Sequence, residues 1–328
     1  MDGIAAALAA LEPYEGLDWD AAVLAAADPL PGRPLAVATP SFRRFDDAGL
    51  PSAPRQRFPA FSVTGGACAL GCAHCRGGIL ADMAAVPEPA QLDQAVRRLA
   101  DTGNLGGFLL SGGSDRRGEI PFERFWPVVA ALKRDLPHLR IAAHTGLMNR
   151  AAAARMAAAG VDTAMTDVIG APETIREVCH LERPLEDFAA TLEALAGAGL
   201  RLVPHVVIGL HFGRLLGEAA ALAMVAAVPT AAVVLVVVMP HHAAPGRFAA
   251  PEPAAVARLF IEARRRLTDR PLLLGCARPP GLHRRAVDAY AVIAGLDGIA
   301  FPADGAVELA RALGRPVSRA NACCAVPP

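Results

Sequence analysis

Phe61-Ser62-Val63-Thr64-Gly65-Gly66-Ala67-Cys68-Ala69-Leu70-Gly71-Cys72-Ala73-His74-Cys75 is the stretch that decides how this chain is read. A short apolar run, 60–64, stops at a glycine pair, and three cysteines then fall within eight residues at C-x3-C-x2-C spacing. The run predicts a strand, and the glycines predict a loop with the backbone freedom to wrap around whatever the cysteines hold. Three thiolates on one tight loop can ligate three irons of a cubane cluster, which leaves the fourth iron without a protein ligand. A zinc site is the plainer reading. It normally takes four protein ligands in paired C-x2-C form, and no second C-x2-C occurs in the sequence.

Outward from this loop, apolar runs alternate with amphipathic stretches. The runs are 60–64, 107–110, 140–143, 162–166, 202–208, 231–238, 272–274 and 298–301. Helical patterns follow at 91–100, 122–132, 151–158, 185–196, 215–227, 253–267, 284–293 and 306–313. Such alternation predicts an α/β fold with a parallel sheet, and eight units predict a closed (β/α)8 barrel of the TIM type. Chemistry in such a barrel sits at the C-terminal ends of the strands. The polar residues obey that rule. His144 ends the third run, Asp167 the fourth, His211 follows the fifth, His241 and His242 the sixth, and Cys276 the seventh. The expected division is an N-terminal helical extension and linker over 1–57, the barrel over 58–314, and a C-terminal tail over 315–328 placed to fold over one mouth. Within the extension, 4–11 and 18–27 read as helical and 29–54 as a Pro-rich connector.

Lys plus Arg and Asp plus Glu both number 32, so nothing in the charge balance argues for nucleic acid. No apolar run reaches the ~18–20 residues of a membrane span, and no basic segment precedes an apolar core at the N-terminus. A cytoplasmic chain with no membrane partner is expected. There are seven cysteines, at 68, 72, 75, 179, 276, 323 and 324. An odd number with three clustered points, in a reducing compartment, to metal or catalysis rather than disulfides.

The triplet is the motif of the radical S-adenosylmethionine (SAM) superfamily, which the chain resembles elsewhere too. His74 stands where that family usually carries an aromatic residue near the adenine. Ser111-Gly112-Gly113-Ser114 resembles its glycine-rich motif for the SAM amino group, and 207–213, with Gly209, its adenine-lining fifth-strand motif. Phrases at 110–113, 144–146, 166–170, 204–211 and 274–279 resemble the biotin-synthase-related group. They are most similar to one component of the two-protein lipoyl synthase, over about 58–303.

The resemblance implies a [4Fe–4S] cluster on Cys68, Cys72 and Cys75, with SAM on its open iron. A 5′-deoxyadenosyl radical would attack a protein-bound octanoyl chain, and a sacrificial auxiliary [4Fe–4S] cluster would donate sulfur. Candidate ligands for that second cluster are Cys276, Cys323 and Cys324, with Ser318, Arg319 or Arg278 as a non-cysteine ligand. The N-terminal cysteine motif of the single-chain lipoyl synthase is absent before Cys68. Implied partners are an octanoylated lipoyl-carrier protein or domain, a second radical SAM component, and a reductant such as ferredoxin or flavodoxin. His144, Asp167, His205 and His211 read as positioning SAM ribose, substrate or a proton path, or as interior groups bonded to backbone. Cys179 reads as buried filler. His241-His242 reads as a loop pair more than a metal site, and Arg264-Arg265-Arg266 as a solvated helix end. No residue is singled out as catalytic. Two other functions fit the same residues. One is a different biotin-synthase-like reaction on a single cluster (rearrangement, fragmentation or methylation). The other is an iron–sulfur electron carrier, which the barrel pattern argues against.

Overall fold

The computed structural model describes residues 2–38, 57–239 and 242–320, so His241, Cys323 and Cys324 lie outside the described residues. Its centre is a sheet of eleven parallel strands: β1 (Leu35–Ala38), β2 (Ala60–Ser62), β3 (Ala84–Ala85), β4 (Gly107–Ser111), β5 (Arg140–Thr145), β6 (Thr163–Asp167), β7 (Arg201–Ile208), β8 (Val233–Val237), β9 (Leu272–Leu274), β10 (Gly298–Ala300) and β11 (Val317–Ala320). Their order is β11-β1-β10-β9-β8-β7-β6-β5-β4-β2-β3. All eight runs of the sequence reading form strands, β2 and β4 through β10. They lie side by side in chain order, the arrangement of the TIM-type half-barrel.

Helices cover the outside: α1 (Asp2–Ala9), α2 (Ala21–Ala26), α3 (Pro89–Ala100), α4 (Trp126–Asp135), α5 (Arg150–Ala158), α6 (Pro172–Glu177), α7 (Glu186–Gly197), α8 (Glu218–Ala226), α9 (Pro253–Arg266), α10 (Leu282–Ile293) and α11 (Ala306–Ala312). Local chemistry sets their starts. In α3, Pro89 sits in the first turn and Glu88 and Gln91 form a capping box, while Leu92 and Val96 face inward. In α5, the Asn149 side chain accepts the Ala152 amide at 2.9 Å.

Strand parity separates two cores. Ile141, Ala143, Ala164, Leu202, Val206, Val233 and Leu235 pack outward beneath the helices. Their neighbours Ala142, Met165, Val203, Val234, Val236 and Leu273 pack together on the concave face. Successive strand residues point to opposite faces, so His144, two beyond Ala142, continues the concave row. Asp167 follows Met165 and His205 follows Val203 in the same way. Register places Asp167 directly opposite His205.

Three features differ from the sequence reading. The segment read as connector supplies β1, which lies between β10 and β11. The eighth strand therefore pairs with β1 and not with the first barrel strand β2. Among the described residues no ladder closes the sheet between its edges β3 and β11. The described part of the tail adds β11 as an edge strand instead of crossing a mouth. A buried network fastens that edge. Asp297 accepts from Arg33, Arg264 and, at 2.8 Å, the Leu272 amide. Arg315, 1% exposed, donates to the carbonyls of Arg33, Pro34, Val292 and Leu296. Arg264 is thus a buried strap rather than a solvated residue. Among the described residues no helix is long and apolar enough to cross a membrane.

Candidate functional site

The cysteine loop leaves the C-terminal end of β2 and is sewn to the turn after β4. The Thr64 hydroxyl accepts the Gly113 amide at 2.7 Å, and the Ser114 carbonyl accepts the Ala69 amide at 2.8 Å. Gly113 is required by space. A Cβ there would stand 2.0 Å from the Ala67 carbonyl oxygen and 2.7 Å from the Cys68 Cα. The glycine motif read as a cofactor contact therefore also makes the loop's packing possible. Cys72 and Cys75 lie on one tight turn, in which the Cys72 carbonyl accepts the amides of Cys75 and Arg76.

A second element holds this turn from behind. Past α6, the Val178 carbonyl accepts the Ala73 amide at 2.7 Å, and the Cys179 carbonyl accepts the Cys72 thiol at 3.5 Å. His180, at φ +52°, donates Nδ1–H to the Leu70 carbonyl at 3.2 Å. Cys179 is buried among Val178, Leu181 and Phe188, as filler would be, yet it also meets Cys72. That contact was not legible from spacing. The Cys179 side chain is the first cause that raises the Cys72 thiol well above the ordinary range, with burial adding to it. Cys75 is pushed up to about 12 by the Cys72 thiol and by burial, against an opposing pull from His74. Both are neutral thiols until a metal displaces their protons.

Cys72, His74 and Cys75 come together, with a ligand atom of each within 4.8 Å of the others. Cys68 lies near enough for its charge to act on Cys72 but is outside that close group. His242 abuts the end of the same loop, since a Cβ on Gly78 would lie 2.8 Å from its Nδ1.

On the concave face, above the apolar plug, stand His144, Asp167 and His205. His144 Nε2 is 3.6 Å from the Asp167 carboxylate, and the two imidazole rings meet edge to face at 5.2 Å. Enclosure opposes ionisation of Asp167, but the charge and hydrogen bond of His144, then the more distant His205 and His74, outweigh it and hold the carboxyl at about 2. The Asp167 side chain is nonetheless 49% exposed. Enclosure also pulls His205 down to about 4, helped by His144. Because a carbonyl only accepts, His205 Nδ1 carries the proton that bonds Val203 O at 3.2 Å. Its Nε2 is then a lone-pair acceptor at neutral pH. Asp167 and His205 Nε2 together present acceptors to whatever enters.

Beyond β7, the Gly209 amide donates to Glu218 at 2.8 Å, and buried His211 is hydrogen-bonded to the Thr174 hydroxyl at 3.2 Å. Glu218 went unnoticed in the sequence, although an acid directly after Gly217, where α8 begins, is a legible signal. Burial raises its pKa.

Cys276 follows β9, at the same end of the sheet, beside Ala38, Ala300 and Phe301. Arg278 is not available as a cluster ligand. Its buried guanidinium donates to Asp288 at 2.5 and 2.8 Å and to the carbonyls of Gly275, Ala300 and Phe301.

Residues 62–214 match the sequence model of the radical SAM superfamily. Over 102 residues the chain is 31% identical to biotin synthase of Desulforudis audaxviator, a stretch that covers 31% of this chain and 30% of that enzyme. In structure it is similar to methylornithine synthase, with TM-score 0.55 at 13% identity, over 92% of this chain and 87% of that one. It is also similar to the FeFe-hydrogenase maturase HydG from Carboxydothermus hydrogenoformans, with TM-score 0.54 at 13% identity, over 91% and 70%. At such identities the structural likenesses bear on fold alone.

Proposed function

We propose that this chain, whose residues 62–214 match the radical SAM superfamily, is a radical SAM sulfurtransferase acting on a protein-bound octanoyl chain in lipoyl cofactor formation. The observation that carries the radical SAM part is the interlocked pair of the cysteine loop and the Gly113 turn, set at the C-terminal edge of the sheet within the matched region. Three thiols on that loop fit a cubane with one open iron, so Cys68, Cys72 and Cys75 would hold a [4Fe–4S] cluster. Cluster and SAM, when bound, supply electron transfer into the sulfonium and a hydrogen-abstracting adenosyl radical.

The protein's own groups position and shield. Ser111, Gly112 and Gly113 hold the cofactor side of the loop, with Gly209 kept in place by Glu218. Asp167 and His205 Nε2 accept hydrogen bonds from SAM ribose hydroxyls, His144 holds Asp167 ionised, and His74 adjoins the adenine side. The apolar plug below excludes water. The likeness to biotin synthase supports sulfur insertion. The proposal includes an auxiliary cluster on Cys276, Cys323 and Cys324, of which Cys276 is the one among the described residues. An octanoylated carrier, a second radical SAM component and a ferredoxin or flavodoxin complete it.

A second reading has its own observation. A wholly aliphatic substrate has no use for acceptors, so Asp167 and His205 equally suit a substrate amine or hydroxyl in a one-cluster reaction. Anaerobic reconstitution separates the two. Sulfur insertion expects about eight irons per chain, and about four in Cys68→Ala/Cys72→Ala/Cys75→Ala. About four in the wild type and none in the triple variant sinks it in favour of the one-cluster reaction.

A further inference from the structure

The trio Cys72, His74 and Cys75 has a property that a three-thiolate cluster does not call for. Its ligand atoms lie within 4.8 Å of one another. Metal–sulfur and metal–nitrogen bonds of about 2.3 and 2.0 Å set donors about 4 Å apart around a single tetrahedral ion. His74 Nδ1 is buried without a hydrogen-bond partner. A buried polar atom left without a partner destabilises the fold, and thiolate ligation by the three cysteines does nothing to relieve it. The turn is already formed, fixed by the Cys72 carbonyl in front and the Val178 carbonyl behind.

We infer that the loop, when it carries no cluster, holds one divalent transition-metal ion on Cys72, His74 and Cys75, with the fourth position taken by water. Two thiolates and an imidazole suit zinc or ferrous iron. The step is a plain exchange. Two thiol protons leave for solvent, two metal–sulfur bonds and one metal–nitrogen bond form, and no electron moves. A ferrous ion seated this way is also a starting point for building a cluster in place. The inference shares residues with the cluster proposal but not its chemistry, and it stands or falls separately.

The test uses the full chain, stripped of iron and sulfide and kept anaerobic and reduced, titrated with zinc or cobalt(II). The expected result is one ion per chain, with a zinc X-ray absorption shell of two sulfurs and two nitrogen or oxygen atoms. His74→Ala should weaken uptake at least about tenfold. Cys68→Ala should keep the ion while losing the cluster. No stoichiometric uptake, a shell of three or four sulfurs, or uptake indifferent to His74→Ala overturns the inference. If His74→Ala does not fold, the wild-type shell alone decides. A wild type that takes the ion yet assembles no cluster upholds the ion seat and sinks the radical SAM proposal.

Discussion

The cysteine loop and the β9–β10–β1–β11 edge lie towards opposite edges of the same sheet, and they are finished to different degrees. At the edge, buried charge is met almost throughout, Arg264 Nε being the exception. Arg278 and Arg315 direct their donors to a carboxylate or to carbonyls, and Asp288 also accepts the Ala303 amide at 2.7 Å. At the loop, the backbone is pinned as firmly but the side chains are not. The thiols are neutral, His74 Nδ1 has no hydrogen-bond partner, and the Asp167 side chain is 49% exposed. Rigid backbone beneath unsatisfied side chains is what a preorganised ligand site requires. Saturated side chains are what a permanent joint requires. Position at the strand ends alone does not distinguish them.

The sharpest way to break this contrast is Gly113→Val. With a carbonyl 2.0 Å from its Cβ, the turn and the loop must part. Iron uptake is expected to vanish, with destabilisation of about 4 kcal/mol or more. Normal uptake would show that the loop is not preorganised by this contact. Next in size is Arg278→Met, which strands Asp288 in the core and should cost about 3–5 kcal/mol in denaturant unfolding, whereas Arg278→Met/Asp288→Leu should recover most of it. A double variant as unstable as the single one would mean that the edge is not a closed joint. The smallest effect is in pH. His205 titrates at about 4 folded, against 6.5 ordinarily, so the unfolded chain takes its proton first. Stability should fall as pH drops from 6.5 towards 4, and His205→Asn should flatten that part of the curve. Asp167, lowered to about 2, contributes stability above 3.8 that is lost only below it. An unchanged curve in His205→Asn would place the imidazole in water.

The eight central strands were legible because aliphatic runs buried on both faces carry their own signal, as in β8. The flanking strands were not. β1 is Leu-Ala-Val-Ala inside a proline-rich stretch, and β11 is Val-Ser-Arg-Ala, too polar and short to read as sheet. Their identity comes from partners far away in sequence. The same limit hid the role of Arg278, offered as a non-cysteine cluster ligand while its true partner Asp288 sits ten residues on. It also hid Cys179, whose meeting with Cys72 spans 107 residues. The row of His144, Asp167 and His205 could be read from the sequence because each ends or continues an apolar run at fixed parity.

The placement of β1 between β10 and β11 has a consequence for biosynthesis. Arg33 and Arg315 touch across 282 residues of chain. At about 5–20 residues per second, a ribosome takes on the order of tens of seconds to supply the partners of a strand it made near the start. During that interval β1 is an unpaired hydrophobic ribbon tethered to a growing half-barrel. Its docking joins segments far apart in sequence, a contact of high order and slow for that reason. Until it happens, nascent chains share an edge on which they can mispair with one another.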